Sequence, residues 1–410
     1  MALFKRAKHE KESKESDDRS AEADSSTKNP APKAGNTAFK QQRLNAWQPI
    51  FSPNTVLPAF FIVALICGPI GGVLIWGAST LSEISLDYTE CDNLAASSTS
   101  GALQFSDVPS SRYSYRLRAG DSDAQHDVVT PGYALLDNPS ATDVQQLREC
   151  HIRFSIPATV PKPILFYYRL RNFNQNHRRY VKSFDTDQFR GKAISADELD
   201  KGSCHPVAKN SEGKAIYPCG LIANSIFNDT FSNLRLLNPN NETSNDTFTY
   251  ELSAKGIAWP GERKKYTNTP AYDLADIVPP PNWIARFPNY TTENLPKLQD
   301  DEHFHNWMRT AALPRFPKLY GRNDSTDLQP GRYEIIVGLN FPVQRFKGTK
   351  EIVITSASWV GGKNPFLGWA YVGVSGFFFL VTIIGTIKHF VKPRRLGDQN
   401  LLSWNRPKTS

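Results

Sequence analysis

The sequence lacks the motifs by which many enzymes are recognised. It contains no Gly-rich phosphate loop ending in Gly-Lys-Ser/Thr, no Gly-X-Ser-X-Gly nucleophile turn and no His-Glu-X-X-His zinc motif. His303 and His305 are two residues apart, and on a helix this spacing points the two side chains in different directions. We therefore expect them to be surface histidines, and we predict no catalytic residue, no metal site and no cofactor.

Charged residues are absent from two long apolar runs, residues 56–78 and 366–387. At about 1.5 Å per residue, either run forms a helix that can cross a hydrocarbon core of about 30 Å. A long polar segment precedes the first run, which indicates an uncleaved signal anchor rather than a removable signal peptide. We predict transmembrane helices at residues 56–79 and 365–388, without the buried charges that channels and transporters use.

Glycines within the two runs allow close approach of a neighbouring helix. Gly68 and Gly72 form a Gly-X-X-X-Gly pair, and the second run contains Gly368, Gly373 and Gly376. Packing against a partner is one interpretation. The other is ordinary composition, since glycine is common in membrane helices.

Basic residues flank the two runs on the sides that face away from the central segment. Lys40 and Arg43 precede the first run, and Lys388 and Lys392 follow the second, whereas acidic residues such as Glu83 begin the central segment. The positive-inside rule then predicts that both termini are cytosolic and that residues 80–364 form a lumenal or extracellular domain. The net charge of the chain is +8, and much of the local positive excess flanks the two apolar runs. We interpret this excess as the signal that sets the topology rather than as a binding site for lipid headgroups.

Cysteine is scarce, and its distribution supports this topology. Of five cysteines, Cys67 lies in the first apolar run, where we expect a small apolar filler, and the other four lie in the central segment. An even set in an oxidising compartment predicts two disulfides, with three pairings possible. A loop of about 15 residues, whose closure is worth about 3 kcal/mol, favours Cys204–Cys219 and leaves Cys91–Cys150.

Acceptor sequences for N-glycosylation occur only in the predicted outer segment. Each Asn-X-Ser/Thr triplet is a weak signal alone, but their common placement agrees with the topology. The predicted sites are Asn228, Asn241, Asn245, Asn289 and Asn323.

The remaining segments divide by composition. Residues 1–38 contain few large apolar side chains and are predicted to be a disordered cytosolic tail. Residues 39–55 form a juxtamembrane segment with Trp47 at headgroup depth, and residues 389–410 form a cytosolic C-terminal tail.

Strand patterns dominate the outer domain. The segment 150–156 alternates apolar and polar residues, which predicts a half-buried strand, and β-branched and aromatic residues predict strands from Ile164, Arg332 and Lys350. Phe304, Trp307, Met308 and Ala311 recur at helical spacing and predict a helix with its aromatic stripe in the core. We expect a β-rich α+β domain that resembles an antiparallel sandwich with long insertions.

Four longer segments carry a family resemblance. FKQQRLNAWQPI, YYRLRNFNQNHRRYVKS, PCGLIANSIFNDTF and HFHNWMRTAALPRFPKLYG, which begin at residues 39, 167, 218 and 303, resemble the cell division control protein 50 and ligand-effect modulator family. Members are the β subunits of type IV P-type ATPases, the phospholipid flippases. The resemblance runs from about residue 39 to the C-terminal tail.

This resemblance implies a non-catalytic subunit that escorts a large ATPase out of the endoplasmic reticulum and supports flipping of phospholipid to the cytosolic leaflet. It implies a heterodimer with that ATPase in the endoplasmic reticulum, Golgi, endosome or plasma membrane, and no nucleic-acid partner. The residues expected to bind the ATPase, with internal packing as the alternative for those in the outer domain, are Lys40, Arg43, Trp47, Asn174, His177, Arg178, Arg179, Tyr180, Trp307 and Arg309.

Two other functions compete with this interpretation. A stand-alone glycosylated receptor or adhesion protein would use the same topology without a partner. An ecto-hydrolase would need a nucleophile and a base that the fold brings together.

Overall fold

The computed structural model describes residues 51–97, 103–121, 123–141, 143–237, 248–359 and 361–393. The α-helices are α1 Pro53–Ser79, α2 Arg178–Val181, α3 Thr186–Phe189, α4 Ala196–Lys201, α5 Leu221–Asn224, α6 Glu302–Met308 and α7 Phe366–Val391. The strands are β1 Glu83–Asp87, β2 Ala96–Ser97, β3 Ser106–Asp107, β4 Tyr113–Arg116, β5 Gly132–Asp137, β6 Arg148–Ile156, β7 Ile164–Arg171, β8 Ala215–Ile216, β9 Thr230–Phe231, β10 Leu234–Leu236, β11 Thr249–Tyr250, β12 Ile277–Val278, β13 Phe316–Asn323, β14 Gly331–Gly338 and β15 Thr349–Ser356.

Two sheets form a strand sandwich. The first sheet has the antiparallel order β13-β7-β15-β1-β4, and the second has the order β11-β10-β14-β6-β5-β2, with β3 on β5 and β9 on β14. Apolar side chains from both sheets meet in one core, for example Ile352 from the first sheet and Ile335 from the second. The predicted β-rich, largely antiparallel architecture is confirmed.

The strands predicted from sequence correspond to β6, β7, β14 and β15. The prediction that β6 is only half-buried is wrong, because His151 and Ser155 on its polar face are 7% and 6% exposed. The segment around Phe105 and Val129 covers this face: Val129 N donates to Ser155 Oγ at 3.1 Å, and the guanidinium of Arg153 lies 3.9 Å from the Phe105 ring centroid. Cys91 forms a disulfide with Cys150, the third residue of β6.

Residues 178–229 and 256–308 form a second body with little regular structure, called the insertion body below. Its helices are four to seven residues long, and its paired strands β8 and β12 have two residues each. Its core is rich in aromatic side chains and contains the Cys204–Cys219 disulfide, which is the pairing that the short loop favours. Side chains supply hydrogen bonds that strands would otherwise make to buried carbonyls: Gln188 Nε2 to Ile216 O at 3.0 Å, Trp283 Nε1 to Ala223 O at 2.9 Å and Tyr290 OH to Tyr217 O at 2.6 Å.

A buried ion pair ties the insertion body to the sandwich. Asp229 and Lys350 are 2% and 3% exposed, and Lys350 Nζ donates to Asp229 Oδ2 at 2.7 Å. The hydroxyl of Tyr88 donates to the same oxygen at 2.9 Å, and the backbone N–H groups of Asn340 and Phe341 donate to Asp229 Oδ1 at 2.6 Å. These partners satisfy the carboxylate, which makes its burial tolerable.

Helices α1 and α7, of 27 and 26 residues, are each long and apolar enough to cross a membrane. They pack against each other at Gly71 and Gly368, where a Cβ on Gly71 would lie 2.9 Å from the carbonyl oxygen of Gly368. Ser375 Oγ donates to Ala64 O at 2.8 Å and adds an interhelical hydrogen bond. The two helix backbones are therefore in close contact at Gly71, a residue that does not belong to the Gly68–Gly72 pair singled out from the sequence.

Three of the glycines in these helices face away from the helix pair. A Cβ on Gly72, Gly373 or Gly376 would meet no atom of the described residues within 4 Å. Large side chains on the same helices, such as Trp76 and Phe377, are 64% and 62% exposed. The pair thus presents an apolar surface that suits lipid or other helices. The cytosolic tails predicted for residues 1–38 and 389–410 lie largely outside the described residues.

Candidate partner interface

The two outer-domain segments expected to bind a partner lie side by side. Phe173 N donates to Pro314 O at 3.2 Å, and Asn176 Nδ2 donates to Ala312 O at 2.9 Å. Gln175, fully buried, accepts a hydrogen bond from Ala311 N at 2.8 Å. The loop that follows β7 and the loop that follows α6 therefore form one surface.

Trp307 and Tyr180 support these two loops from the interior of the domain. Trp307 is fully buried, and its Nε1 donates to Ile222 O at 2.8 Å. Tyr180 is half-buried, its hydroxyl lies 2.8 Å from Ser225 Oγ, and burial raises its pKa to about 12. The internal-packing alternative fits both residues better than direct contact with a partner does.

The other predicted residues of this loop, Asn174, His177, Arg178 and Arg179, are exposed. Arg178 and Arg179 border a groove of about 700 Å³ whose other lining residues are Lys182, Ser203, His205, Pro206 and Leu221. No carboxylate belongs to this lining, and within the described ranges the two arginines and Lys182 form no ion pair. The groove is consequently electropositive and suits an acidic surface.

Arg309 lies on the neighbouring loop in an arrangement typical of protein interfaces. Its guanidinium carbon lies 4.7 Å from the ring centroid of Trp259, whose side chain is 67% exposed. Stacked Arg and Trp side chains are frequent hot spots of binding. Sequence analysis missed Trp259 and His205, because isolated residues in irregular segments carry no periodic signal. It also left Lys182 out of the expected interface, although Lys182 lies in the segment 167–183.

Lys318 fixes the loop that carries Arg309. Its amino group reaches from β13 and donates to Asn306 O at 2.7 Å and to the carbonyl oxygen of Arg309. Lys318 is 6% exposed, and burial together with the charge of Arg309 lowers its pKa to about 7. Its protonation state therefore bears on the position of this loop.

The histidines of α6 differ from the expectation of surface residues. His305 is 2% exposed, its Nε2 lies 2.7 Å from Leu298 O, and its ring stacks on Tyr266 at 4.7 Å. His303 packs against the ring of Tyr320 at 4.3 Å, and burial lowers its pKa. The surface prediction is wrong because α6 is enclosed on more sides than its aromatic stripe indicates. The residues that the structure describes contain no group of three or more His, Cys, Asp or Glu side chains that could hold a metal ion.

The remaining predicted sites divide between described and undescribed residues. Asn289 is exposed, while Asn228 and Asn323 are half-buried. Lys40, Arg43, Trp47, Asn241 and Asn245 lie outside the described residues.

Comparison with known proteins decides the family. The family model described as LEM3 (ligand-effect modulator 3) family / CDC50 family matches residues 74–395. The chain belongs to the LEM3/CDC50 family. The resemblance inferred from the four sequence segments is thereby confirmed.

Relatives in the LEM3/CDC50 family match along most of their length. The phospholipid-transporting ATPase accessory subunit CRF1 of Saccharomyces cerevisiae is 42% identical over 378 residues, which cover 92% of this chain and 90% of that protein. The phospholipid-transporting ATPase accessory subunit CDC50 of Chaetomium thermophilum is 38% identical over 96% of this chain and 95% of its own. Cell cycle control protein 50A of Bos taurus is 38% identical over 85% of this chain and 87% of its own.

Proposed function

We propose that this chain is the non-catalytic accessory subunit of a phospholipid-transporting type IV P-type ATPase. In this role it supports folding of the ATPase, its exit from the endoplasmic reticulum and ATP-driven movement of phospholipid to the cytosolic leaflet. The observation that carries the proposal is the match of 92% of this chain to 90% of a relative named as such an accessory subunit. The match includes both the outer domain and the helices, so the whole architecture supports it.

The proposed topology places both termini in the cytosol and residues 80–364 in the lumen or outside the cell. Lys388, His389 and Lys392 at the end of α7 agree with a cytosolic C-terminus. The disulfides and the glycosylation sites then lie in the oxidising compartment that suits them. We accordingly propose N-glycans at Asn228, Asn241, Asn245, Asn289 and Asn323.

The outer domain would contact the ATPase through the joined loops. The exposed Arg178 and Arg179 groove and the Arg309–Trp259 pair support this assignment, because they combine an exposed aromatic side chain with positive charge that no described carboxylate pairs with. Trp307 and Tyr180 would act as positioning residues for these loops. Lys40, Arg43 and Trp47 would contact the cytosolic face of the ATPase.

The membrane contact would use the outward glycines. Gly72, Gly373 and Gly376 leave the backbone of the helix pair accessible, whereas Gly71 and Gly368 lie in the contact between α1 and α7. The ATPase spans would then pack on the open side.

Purification of the full chain in mild detergent tests the proposal. We expect a stoichiometric companion of more than about 100 kDa that carries the P-type ATPase phosphorylation motif. It should stay bound through purification, because stable complexes bury larger interfaces than transient ones.

A matched pair of variants tests the assigned surface. Arg179→Glu should reduce recovery of the companion, whereas Lys214→Glu, at an exposed basic residue that lines none of the described cavities, should not. Recovery of this chain alone would contradict the proposal and favour a stand-alone receptor.

A further inference from the structure

A cavity of about 340 Å³ opens beside the insertion body and contains a glycosylation sequon in its wall. Its lining combines aromatic rings, an exposed alanine and polar side chains, among them Asn228, Trp283, Ala285, Arg286, Phe287 and Asp301. This volume is at the lower end of the range of about 300–1,000 Å³ for small-ligand sites. The cavity lies away from the Arg178 groove, with which it shares no lining residue.

The backbone around Asn228 holds its side chain towards the cavity. The preceding Phe227 is 8% exposed and stacks on Tyr168 at 3.8 Å, and the following Asp229 is held by the buried ion pair with Lys350. Because both neighbours are fixed on the inner side, Asn228 is a rigid attachment point. Its amide makes no hydrogen bond to any residue in the described ranges.

The other two described sequons differ from Asn228. Asn323 Nδ2 donates to Glu251 O at 2.9 Å, and its Oδ1 accepts from the backbone N–H groups of Ser325 and Thr326 at 2.9 and 3.0 Å. Asn289 is exposed and lines none of the described cavities. Among the three, Asn228 alone combines a free amide with an adjoining cavity.

The lining matches the chemistry of a sugar ring. A pyranose has an apolar C–H face that packs on aromatic rings, here Phe287 and Trp283, and a rim of hydroxyl groups that needs donors and acceptors. Arg286, whose guanidinium carbon lies 5.0 Å from the Phe287 ring centroid, supplies donors at this lining. Asp301 supplies an acceptor through Oδ2, because its Oδ1 accepts from Phe304 N at the start of α6. A sugar tethered at Asn228 also enters the cavity with a smaller entropy loss than a free ligand would.

We propose that Asn228 carries an N-glycan whose first sugar residues occupy this cavity and act as a built-in ligand of the insertion body. Attachment uses a lipid-pyrophosphate-linked oligosaccharide: the bond between Nδ2 and sugar C1 forms, the bond between C1 and the pyrophosphate oxygen breaks, Nδ2 loses one proton, and lipid pyrophosphate leaves. The proposal rests on the lumenal placement of the domain under the proposed function. Asn289 reports that placement independently.

Native deglycosylation of the full chain, purified with its companion from a eukaryotic host, tests the proposal. Peptide N-glycosidase converts each glycosylated Asn to Asp, and mass spectrometry measures this conversion at both sites over time. We expect release at Asn228 to be at least about tenfold slower than at Asn289, because the enzyme must await local opening. After denaturation, release should be complete at both.

A cavity-filling variant separates occupancy of the cavity from other causes of protection. Ala285→Trp should displace the sugar and raise the native release rate at Asn228 towards that at Asn289. Ala275→Trp, at an exposed position outside the cavity, should leave the protection unchanged.

Three results would overturn the proposal. These are an unglycosylated Asn228 beside a glycosylated Asn289, equal native release at the two sites, and protection at Asn228 that Ala285→Trp does not change. Absence of sugar from both sites would also overturn it: sugar at Asn241, Asn245 or Asn323 would then leave the lumenal topology standing, whereas absence from all five sequons would count against that topology. A missing ATPase companion would refute the accessory role. The failures are therefore distinguishable.

Discussion

The strand sandwich and the insertion body reach similar burial by different hydrogen bonds. In the sandwich, backbone groups of neighbouring strands pair with one another along β6, β7, β14 and β15. In the insertion body, side chains such as Trp283, Tyr290 and Gln188 donate to buried carbonyls. The second body consequently depends on individual side chains, whereas the first depends on its ladders.

The largest expected effect lies where the two bodies meet. Asp229→Asn leaves the buried ammonium of Lys350 without an opposing charge, although its hydrogen bond to Phe341 O remains, at a cost of about 3–5 kcal/mol. We expect poor recovery of the folded chain or a large fall in Tm, as measured by thermal unfolding of the purified full chain.

Asp187→Asn is the matched control, because its pair with Lys192 is exposed to solvent and contributes little to stability. Similar Tm values for the two variants would show that the buried pair does not hold the bodies together.

The next largest expected effect on stability concerns Glu334, a buried carboxylate of the sandwich. Glu334 is 2% exposed; burial acts to raise its pKa, but contacts with His151, Arg235 and Arg153 outweigh this and lower it to about 2. Because the folded carboxylate releases its proton more readily, its stabilisation is present above the unfolded pKa of about 4.3 and is lost as pH falls towards 2.

Glu334→Gln should therefore lower Tm at pH 7 and reduce the difference in Tm between pH 5 and pH 3. We expect a loss of about 2–3 kcal/mol at pH 7. Wild-type and variant Tm values that stay the same distance apart at every pH would contradict this.

Within the insertion body, two tyrosines give a paired test. Tyr290→Phe removes the hydrogen bond to Tyr217 O and should cost about 1–3 kcal/mol, because it leaves a buried carbonyl unpartnered. The Tyr217 hydroxyl is buried without a hydrogen-bond partner in the described ranges, so Tyr217→Phe should be neutral or stabilising. Tm measurements on both variants check this, and an equal loss would mean that the individual hydrogen bonds do not matter here.

The smallest expected effect concerns Lys318, which reaches from the sandwich into the insertion body. Its folded pKa of about 7 is below the unfolded value, so between these values the unfolded chain binds more protons and stability rises with pH. Relative to Lys318→Met, the wild type should gain about 1.4 kcal/mol between pH 6 and pH 8. A parallel pH dependence of the two Tm values would contradict a lowered pKa.

Sequence predicted the sandwich better than the insertion body, for a physical reason. Alternation and β-branched residues reveal strands such as β6 and β15, because the pattern repeats with the geometry. A hydrogen bond from Trp283 to Ala223 O joins residues 60 positions apart and leaves no local pattern. For the same reason, the enclosure of His305 and the exposed Arg309–Trp259 pair could not be foreseen.

The membrane helices show the same limit. Their apolar length was readable, but which glycine faces the second helix depends on where the helices cross. The structure places Gly71 there and leaves Gly72 open. Spacing within one helix does not contain that information.

Cells that lack this chain give the most direct test of the central claim, that it acts through an ATPase companion. The companion identified by co-purification is followed by microscopy, and uptake of a fluorescent phospholipid from the outer leaflet is measured with and without re-expression of this chain. We predict retention of the ATPase in the endoplasmic reticulum and reduced uptake, both restored by re-expression. Normal exit of the ATPase together with unchanged uptake would contradict the account.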